Sequence, residues 1–270
     1  MKKSVFIVVV ILLLIVFSVS AFMVGRYVIN SKEQQRLNEE LAQLATSTTA
    51  ATEPATEPST EAATTEPPTE TTQETEPPEP TMIAAYEELY SRNNDMVGWL
   101  QIDGTNLNNP VVQTPGDNQY YLKRDFNKNY SEWGTVYAWG SADLQRPSDN
   151  VTLFGHTMKD GSMFSVLHNY TSRDFWEGNK LIFFNTLTGY HTYKVFAVFK
   201  VSANIGNFAY HQFVDANNAQ EFDDFVSTCK ALSFYDTGIT PVYGDKLLTL
   251  STCEYTLDNG RLVVCAVRMD

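Results

Sequence analysis

Between Thr46 and Thr81 the chain runs TSTTAATEPATEPSTEAATTEPPTETTQETEPPEPT, 36 residues with 13 Thr, 8 Glu, 7 Pro and no aromatic side chain. A segment with so little to bury cannot offset the entropy of ordering its backbone, so it is expected to stay extended. That feature divides the chain. The part before it is short, and the part after it, Met82 to Asp270, has 189 residues and all four Trp, enough for one compact domain. At about 3.1 Å per residue the acidic stretch could reach roughly 110 Å, so it reads as a stalk whose Thr density would suit O-glycosylation.

Ahead of the stalk, Met1-Lys2-Lys3 precedes an apolar run from Ser4 to Val24, 21 residues broken only by Ser4, Ser18 and Ser20. At about 1.5 Å rise per residue that is roughly 30 Å of helix, the thickness of a bilayer core. The run outlasts a usual signal-peptide core, which favours an uncleaved anchor, although Ser18-Val19-Ser20-Ala21 keeps cleavage open. The expected organisation is an anchor over 1–29, a polar helix and stalk over 30–81, and a domain over 82–270. A cytoplasmic N-terminus with the domain outside is the simpler topology. In the polar helix, Leu37, Leu41 and Leu44 have helical spacing, read as incidental rather than as a self-association stripe.

The net charge of −13 excludes a protein built mainly to hold nucleic acid, which needs a basic face. The stalk carries −8 of it, residues 1–45 carry +2, and the domain is left at −7. Three Cys in 270 residues make no disulfide framework.

Within the domain, MIAAYEELYSRNNDMVGWL (82–100) reads as a helix with Ile83, Tyr86, Leu89 and Tyr90 on one face. Strand-like runs follow: VGWLQI, GTVYAW, NVTLFGH, KLIFFNT, HTYKVFAVFKVS, KLLTLSTC and RLVVCAVRM, most of them separated by turn-forming residues. Many short strands with few helices point to a closed barrel or a sandwich. A second helix is expected over 218–233, with Phe222, Phe225, Val226, Cys229 and Leu232 at spacings of three and four. Asn218 and Glu221 resemble a capping box at its start.

Chemistry narrows to three residues. Cys229, on the apolar helix face, and Cys265, inside a strand, read as packed thiols. Cys253 closes the strand KLLTLSTC before the polar turn EYTLDNG, where a thiol is displayed; an incidental thiol at a loop edge is the plain alternative. His168, His191 and His211 read as ordinary partly buried histidines. His156 ends the strand VTLFG and opens a turn, the kind of place where a scaffold displays reactive groups. No His/Cys/Asp cluster has a usual metal spacing, so no metal is expected. Arg261 follows Cys253 by eight residues, and an antiparallel hairpin around EYTLDNG would return it beside the thiol.

Together these motifs resemble the sortase family. Thr249-Leu250-Ser251-Thr252-Cys253 resembles the TLxTC signature, with its Arg on the next strand. Leu153-Phe154-Gly155-His156 followed by Met158 to Phe164 is similar to the segment carrying the sortase His. Asn94 to Leu100, Pro110 to Gln113, Asp117-Asn118 and Tyr121-Leu122 resemble class B, as does the helix inserted at 218–233.

The resemblance implies an eight-stranded β-barrel with N-terminal helices and one inserted helix. It implies a cysteine transpeptidase on the outer face of a Gram-positive membrane, with no metal or organic cofactor. Cys253 would attack the carbonyl after the Thr of a C-terminal sorting signal, His156 would shuttle the proton, and Arg261 would steady the oxyanion. Release by a lipid II or peptidoglycan amine would leave the substrate protein on a cell-wall precursor. The class B pattern puts Asn118, Leu122, Ser251, Thr252 and Glu254 along the peptide groove, and position alone adds Tyr210. Glu254 stands where the class often has Asp. The segment NIGNFAYHQF (204–213), where selectivity would lie, matches no motif, so the signal stays open between NPxTN-like and LPxTG- or SPxTG-like peptides.

Other readings use the same residues. A pilus polymerase would accept a pilin Lys, and a stalked surface-binding domain would leave Cys253 inert. An L,D-transpeptidase would carry its Cys in an SHGC-type motif, and a papain-like protease in a CGxCW-type context; neither is present.

Overall fold

A computed structural model describes residues 3–47 and 81–270; most of the proposed stalk lies outside them. Eight strands, β1 (Met96–Gln101), β2 (Asn108–Val112), β3 (Val136–Ala138), β4 (Asn150–Phe154), β5 (Leu181–Thr186), β6 (Thr192–Ser202), β7 (Leu247–Glu254) and β8 (Gly260–Arg268), close into a barrel. Around the sheet the order is β1-β2-β3-β4-β7-β8-β6-β5. Most neighbours are antiparallel, but β2 and β3 run parallel, as do β4 and β7. The barrel is the closed alternative of the two all-β architectures.

Strand alternation assigns each face. On β8, Leu262, Val264 and Ala266 fill the barrel interior with Leu153, Phe184, Leu248 and Leu250. Val263, Cys265 and Val267 point the other way, into a second core with Phe196, Phe199 and Leu247. β8 therefore reads as a continuous apolar run because both of its faces are buried. The outer face is covered by α4 (Ala219–Leu232), which contributes Phe222, Phe225, Val226 and Cys229. Both core thiols, Cys229 and Cys265, are fully buried with sulfurs 4.0 Å apart.

The N-terminal elements differ from expectation in two ways. The helix read over 82–100 is only α2 (Ala84–Arg92). Asn93 leaves helical geometry, its amide donating to Tyr121 Oη and the Phe126 carbonyl at 2.8 Å each, and the chain enters β1 three residues later. The second difference is α1 (Lys3–Ser47), one unbroken helix of 45 residues. Its residues Phe6 to Val24 are long and apolar enough to cross a membrane by length and composition. Its polar half is docked: Leu41 is fully buried against Tyr86, Leu89, Trp99 and Phe126, with Leu37 and Leu44 beside it. The leucine spacing thus marks the helix face that covers the domain. A short helix α3 (Arg173–Gly178) packs its Trp176 against the barrel core.

Candidate active site

Three adjacent strands build the site by register. β4 and β7 pair in parallel with Thr152 opposite Thr249 and Phe154 opposite Ser251. Two residues further on, His156 and Cys253 leave the strand ends side by side. On the other flank, antiparallel pairing sets Cys253 opposite Arg261. Alternation then decides the face. Val151 and Leu153 on β4, Leu248 and Leu250 on β7, and Leu262 and Val264 on β8 all point inward. His156, Cys253 and Arg261 have the opposite parity, so all three stand on the outer surface in one row.

That row opens into a groove of about 190 Å³ lined by His156, Cys253 and Arg261 together with Leu122, Tyr137 and Phe154. Gln119, Thr135, Ser251 and Thr252 add polar lining. A larger cleft of about 800 Å³, edged by Met82, Val97, Leu144 and Leu187, contains none of the three reactive side chains.

Hydrogen bonds orient the reactive groups. His156 Nε2 lies 2.6 Å from the Leu122 carbonyl, which can only accept, so this nitrogen carries the proton and Nδ1 is left as the acceptor. Arg261 Nη1 donates to the Asn259 and Gly260 carbonyls at 3.2 and 2.9 Å and to Asn259 Oδ1 at 3.1 Å, which ties the guanidinium to the β7–β8 turn. Asn259 turns the chain there at φ +49°, a left-handed conformation that Asn tolerates.

Behind the nucleophile runs a polar chain. Thr252 Oγ1 donates to the Gly155 carbonyl at 2.7 Å, and Thr157 Oγ1 lies 2.8 Å from Thr252 Oγ1. Thr157 also donates to the Cys253 carbonyl at 3.1 Å, and its oxygen sits 2.9 Å from His168 Nε2. The hydroxyl has one proton, so with that proton on Cys253 the imidazole of His168 is the donor. His168, read from sequence as an ordinary histidine, thus braces the backbone of the nucleophile.

The remaining expected groove residues fall into two sets. Leu122, Ser251 and Thr252 line the groove. Asn118, Tyr210 and Glu254 do not line it, because each side chain is engaged beside it. Asn118 Oδ1 accepts from Gly140 N at 2.6 Å. Tyr210 is buried, its hydroxyl 2.6 Å from Ser251 Oγ, so it reaches the groove through Ser251. Glu254 is only 5 % exposed and pairs with Lys200 Nζ at 2.8 Å. Its carboxylate also accepts from the backbone N–H groups of Thr256 and Leu257. Burial would raise its pKa, but these donors and the Lys200 charge outweigh it and hold the group down at about 2.

Tyr137 and Phe154 also line the groove and were not among the expected site residues. Tyr137 on β3 stacks on Phe154 at 5.5 Å, and Trp139 packs edge-on against His211 at 4.9 Å, forming an aromatic wall. Burial first, and the neighbouring Cys253 next, push the Tyr137 phenol up to about 12, while the Arg261 charge opposes them. Burial lowers the His211 pKa and the positive Arg261 adds to it. The alternation in VYAW and the place of Phe154 two residues before His156 were the available signals for Tyr137 and Phe154.

Comparison with known proteins finds relatives of this chain. A family model described as the sortase domain matches residues 100–269. The chain is 32% identical to sortase B of Staphylococcus aureus over 183 residues, covering 67% of this chain and 73% of that protein. It is 30% identical to sortase B of Listeria monocytogenes over 180 residues, 66% of this chain and 71% of the other. Among solved structures, a Staphylococcus aureus sortase B–substrate complex superposes with a TM-score of 0.73 at 27% identity, covering 90% of this chain and 99% of that one.

Proposed function

The chain belongs to the sortase family and is a cysteine transpeptidase of the sortase B type, and on that premise we propose that it cleaves a C-terminal sorting signal after Thr and transfers the protein to a cell-wall amine. The observation that carries this reading is the single row on the outer barrel surface, with Cys253 between His156 and Arg261.

The Cys253 thiol passes its proton to His156 as its sulfur adds to the carbonyl carbon of the Thr, and the carbonyl oxygen becomes an oxyanion beside the Arg261 guanidinium. As the C–N bond breaks, the departing amine takes a proton from His156, leaving a thioester on Cys253. An amine of lipid II or peptidoglycan then attacks the thioester and gives its proton to His156. The thiolate departs, recovering that proton from His156, and a new amide joins the substrate to the wall precursor. Leu122, Ser251 and Thr252 border the peptide. Asn118, Tyr210 and Glu254 shape the same groove from behind. α1 serves as the anchor that keeps the domain on the outer face of the membrane.

Mass spectrometry on the full chain in detergent, incubated with NPxTN, LPxTG and SPxTG peptides with and without an amine acceptor, tests the proposal. The expected result is a peptide adduct on Cys253 that the amine resolves into a ligated product. A Cys253 that takes a thiol-alkylating probe but no peptide would overturn the substrate class. A Cys253 inert to both would overturn the nucleophile.

A further inference from the structure

α1 runs on past Val24 without a break, and its polar half is bonded to the domain along its length. Tyr27 stacks on Trp133 with ring centroids 5.5 Å apart. Gln34 Oε1 accepts from the Ser131 hydroxyl at 2.8 Å, and Glu40 pairs with Arg92 at 2.6 Å. Leu41 is fully buried. The contact with chemical consequence is at Ser31, whose hydroxyl donates to Asp160 Oδ2 at 2.6 Å. The same oxygen accepts from Trp133 Nε1 at 2.9 Å, while Oδ1 accepts from the N–H and hydroxyl of Ser162.

Asp160 lies four residues after His156, in a loop closed by Phe164 N donating to the His156 carbonyl at 2.9 Å. The loop holds strain: Met163, buried, sits at φ +55°, where a non-glycine residue persists only if its surroundings impose it.

We propose that Tyr27–Ala45 of α1 is a clamp built into the catalytic domain, gripping the His156 loop through Asp160 and holding the groove at a set height above the membrane. Ser31 is seven residues beyond Val24, roughly 10 Å along the helix, so the grip falls just outside the bilayer core. Tyr27, stacked on the buried Trp133, and the exposed Tyr130 mark the membrane-facing side, in keeping with the aromatic belt of membrane interfaces. Leu44 and Ala45, at the end of α1, pack on the same apolar cluster as Ile83, which follows the acidic segment. The height of the domain is therefore set by the helix and not by the length of 48–80. Asp160 is a positioning residue. Burial would favour its neutral form, but the Ser162, Ser31 and Trp133 donors keep its pKa below the ordinary value.

The effect on turnover rests on the proposed role of His156; the docking does not. The test uses the full chain in lipid nanodiscs and a soluble sorting-signal peptide that the wild type cleaves. Ser31→Ala and Asp160→Asn should each lower kcat roughly five- to tenfold with KM within about twofold, and Ser31→Thr should restore it. Leu41→Asp should give the same loss and raise hydrogen exchange of amides 31–46 from the level of the barrel strands to that of a free helix. Should Leu41→Asp unfold the domain, Ser31→Ala decides. Wild-type kcat in Ser31→Ala would overturn the grip on the loop, and fast exchange of 31–46 in the wild type would overturn the docking. Full turnover by His156→Ala would instead remove the catalytic reading, leaving the exchange result to judge the clamp.

Discussion

At the scale of single residues, the site divides into groups that react and groups that hold them. Cys253→Ala should abolish adduct formation and ligation while leaving the thermal midpoint unchanged, since the thiol is half-buried at a strand end. Arg261→Lys should lose roughly 10²- to 10³-fold in kcat/KM, because a point charge cannot both bond the turn acceptors and face an oxyanion. Thr157→Val removes the link between His168 and the Cys253 carbonyl and should cost roughly tenfold in kcat, with Thr157→Ser near wild type. Glu254 supplies a pH signature. Its folded pKa of about 2 lies below the ordinary 4.5, so its contribution to stability is present above about pH 4.5 and is lost as the pH falls towards 2. Acid titration of the thermal midpoint should show this loss, and Glu254→Gln should flatten it while lowering stability by about 1–3 kcal/mol at pH 7.

At the scale of elements, local patterns were legible where a contact lies within one segment. α4 spans 219–232 inside the expected 218–233, and Asn218 Oδ1 accepts from Glu221 N at 3.1 Å as an N-cap. The reciprocal half of the box is displaced by one residue, for the Glu221 carboxylate bonds Asn217 instead. Asn218→Ala should cost about 1 kcal/mol, read from the denaturation midpoint. The β7–β8 hairpin is similar, since its short turn returns Arg261 to Cys253 as the spacing implied. β2 escaped notice because NNPVV contains a Pro that lacks the ladder N–H and is short for a strand. The end of α2 escaped because the apolar spacing of Tyr86, Leu89 and Tyr90 continues smoothly into the strand Met96–Gln101.

At the scale of the whole molecule, the helices on either side of the acidic segment, α1 and α2, pack together against the barrel. Because Leu44 and Ala45 at the end of α1 and Ile83 just before α2 pack on one apolar cluster, replacing 48–80 with a flexible linker of about a dozen Gly and Ser residues should leave the fold and peptide turnover intact. Measured kcat, KM and thermal midpoint of the shortened chain in nanodiscs check this; a large loss of turnover in a folded chain would give the segment a further role.

What the sequence alone determined is what rests on short-range periodicity and composition. It separated the apolar N-terminal run, the acidic stretch and the 189-residue domain, and it placed Cys253, His156 and Arg261 at strand ends. The β7–β8 hairpin already implied that Arg261 meets Cys253, and only the tertiary structure decided that His156 joins them. The parallel pairing of β4 with β7 joins segments about 97 residues apart, and no local propensity records which strand another will choose. The same holds for Thr157 and His168, whose hydrogen bonds depend on that pairing, and for Leu41, whose spacing suits an idle helix as well as a docked one. Barrel closure selects one partner for each edge, and burial of apolar surface across the whole chain decides among arrangements that are locally equivalent.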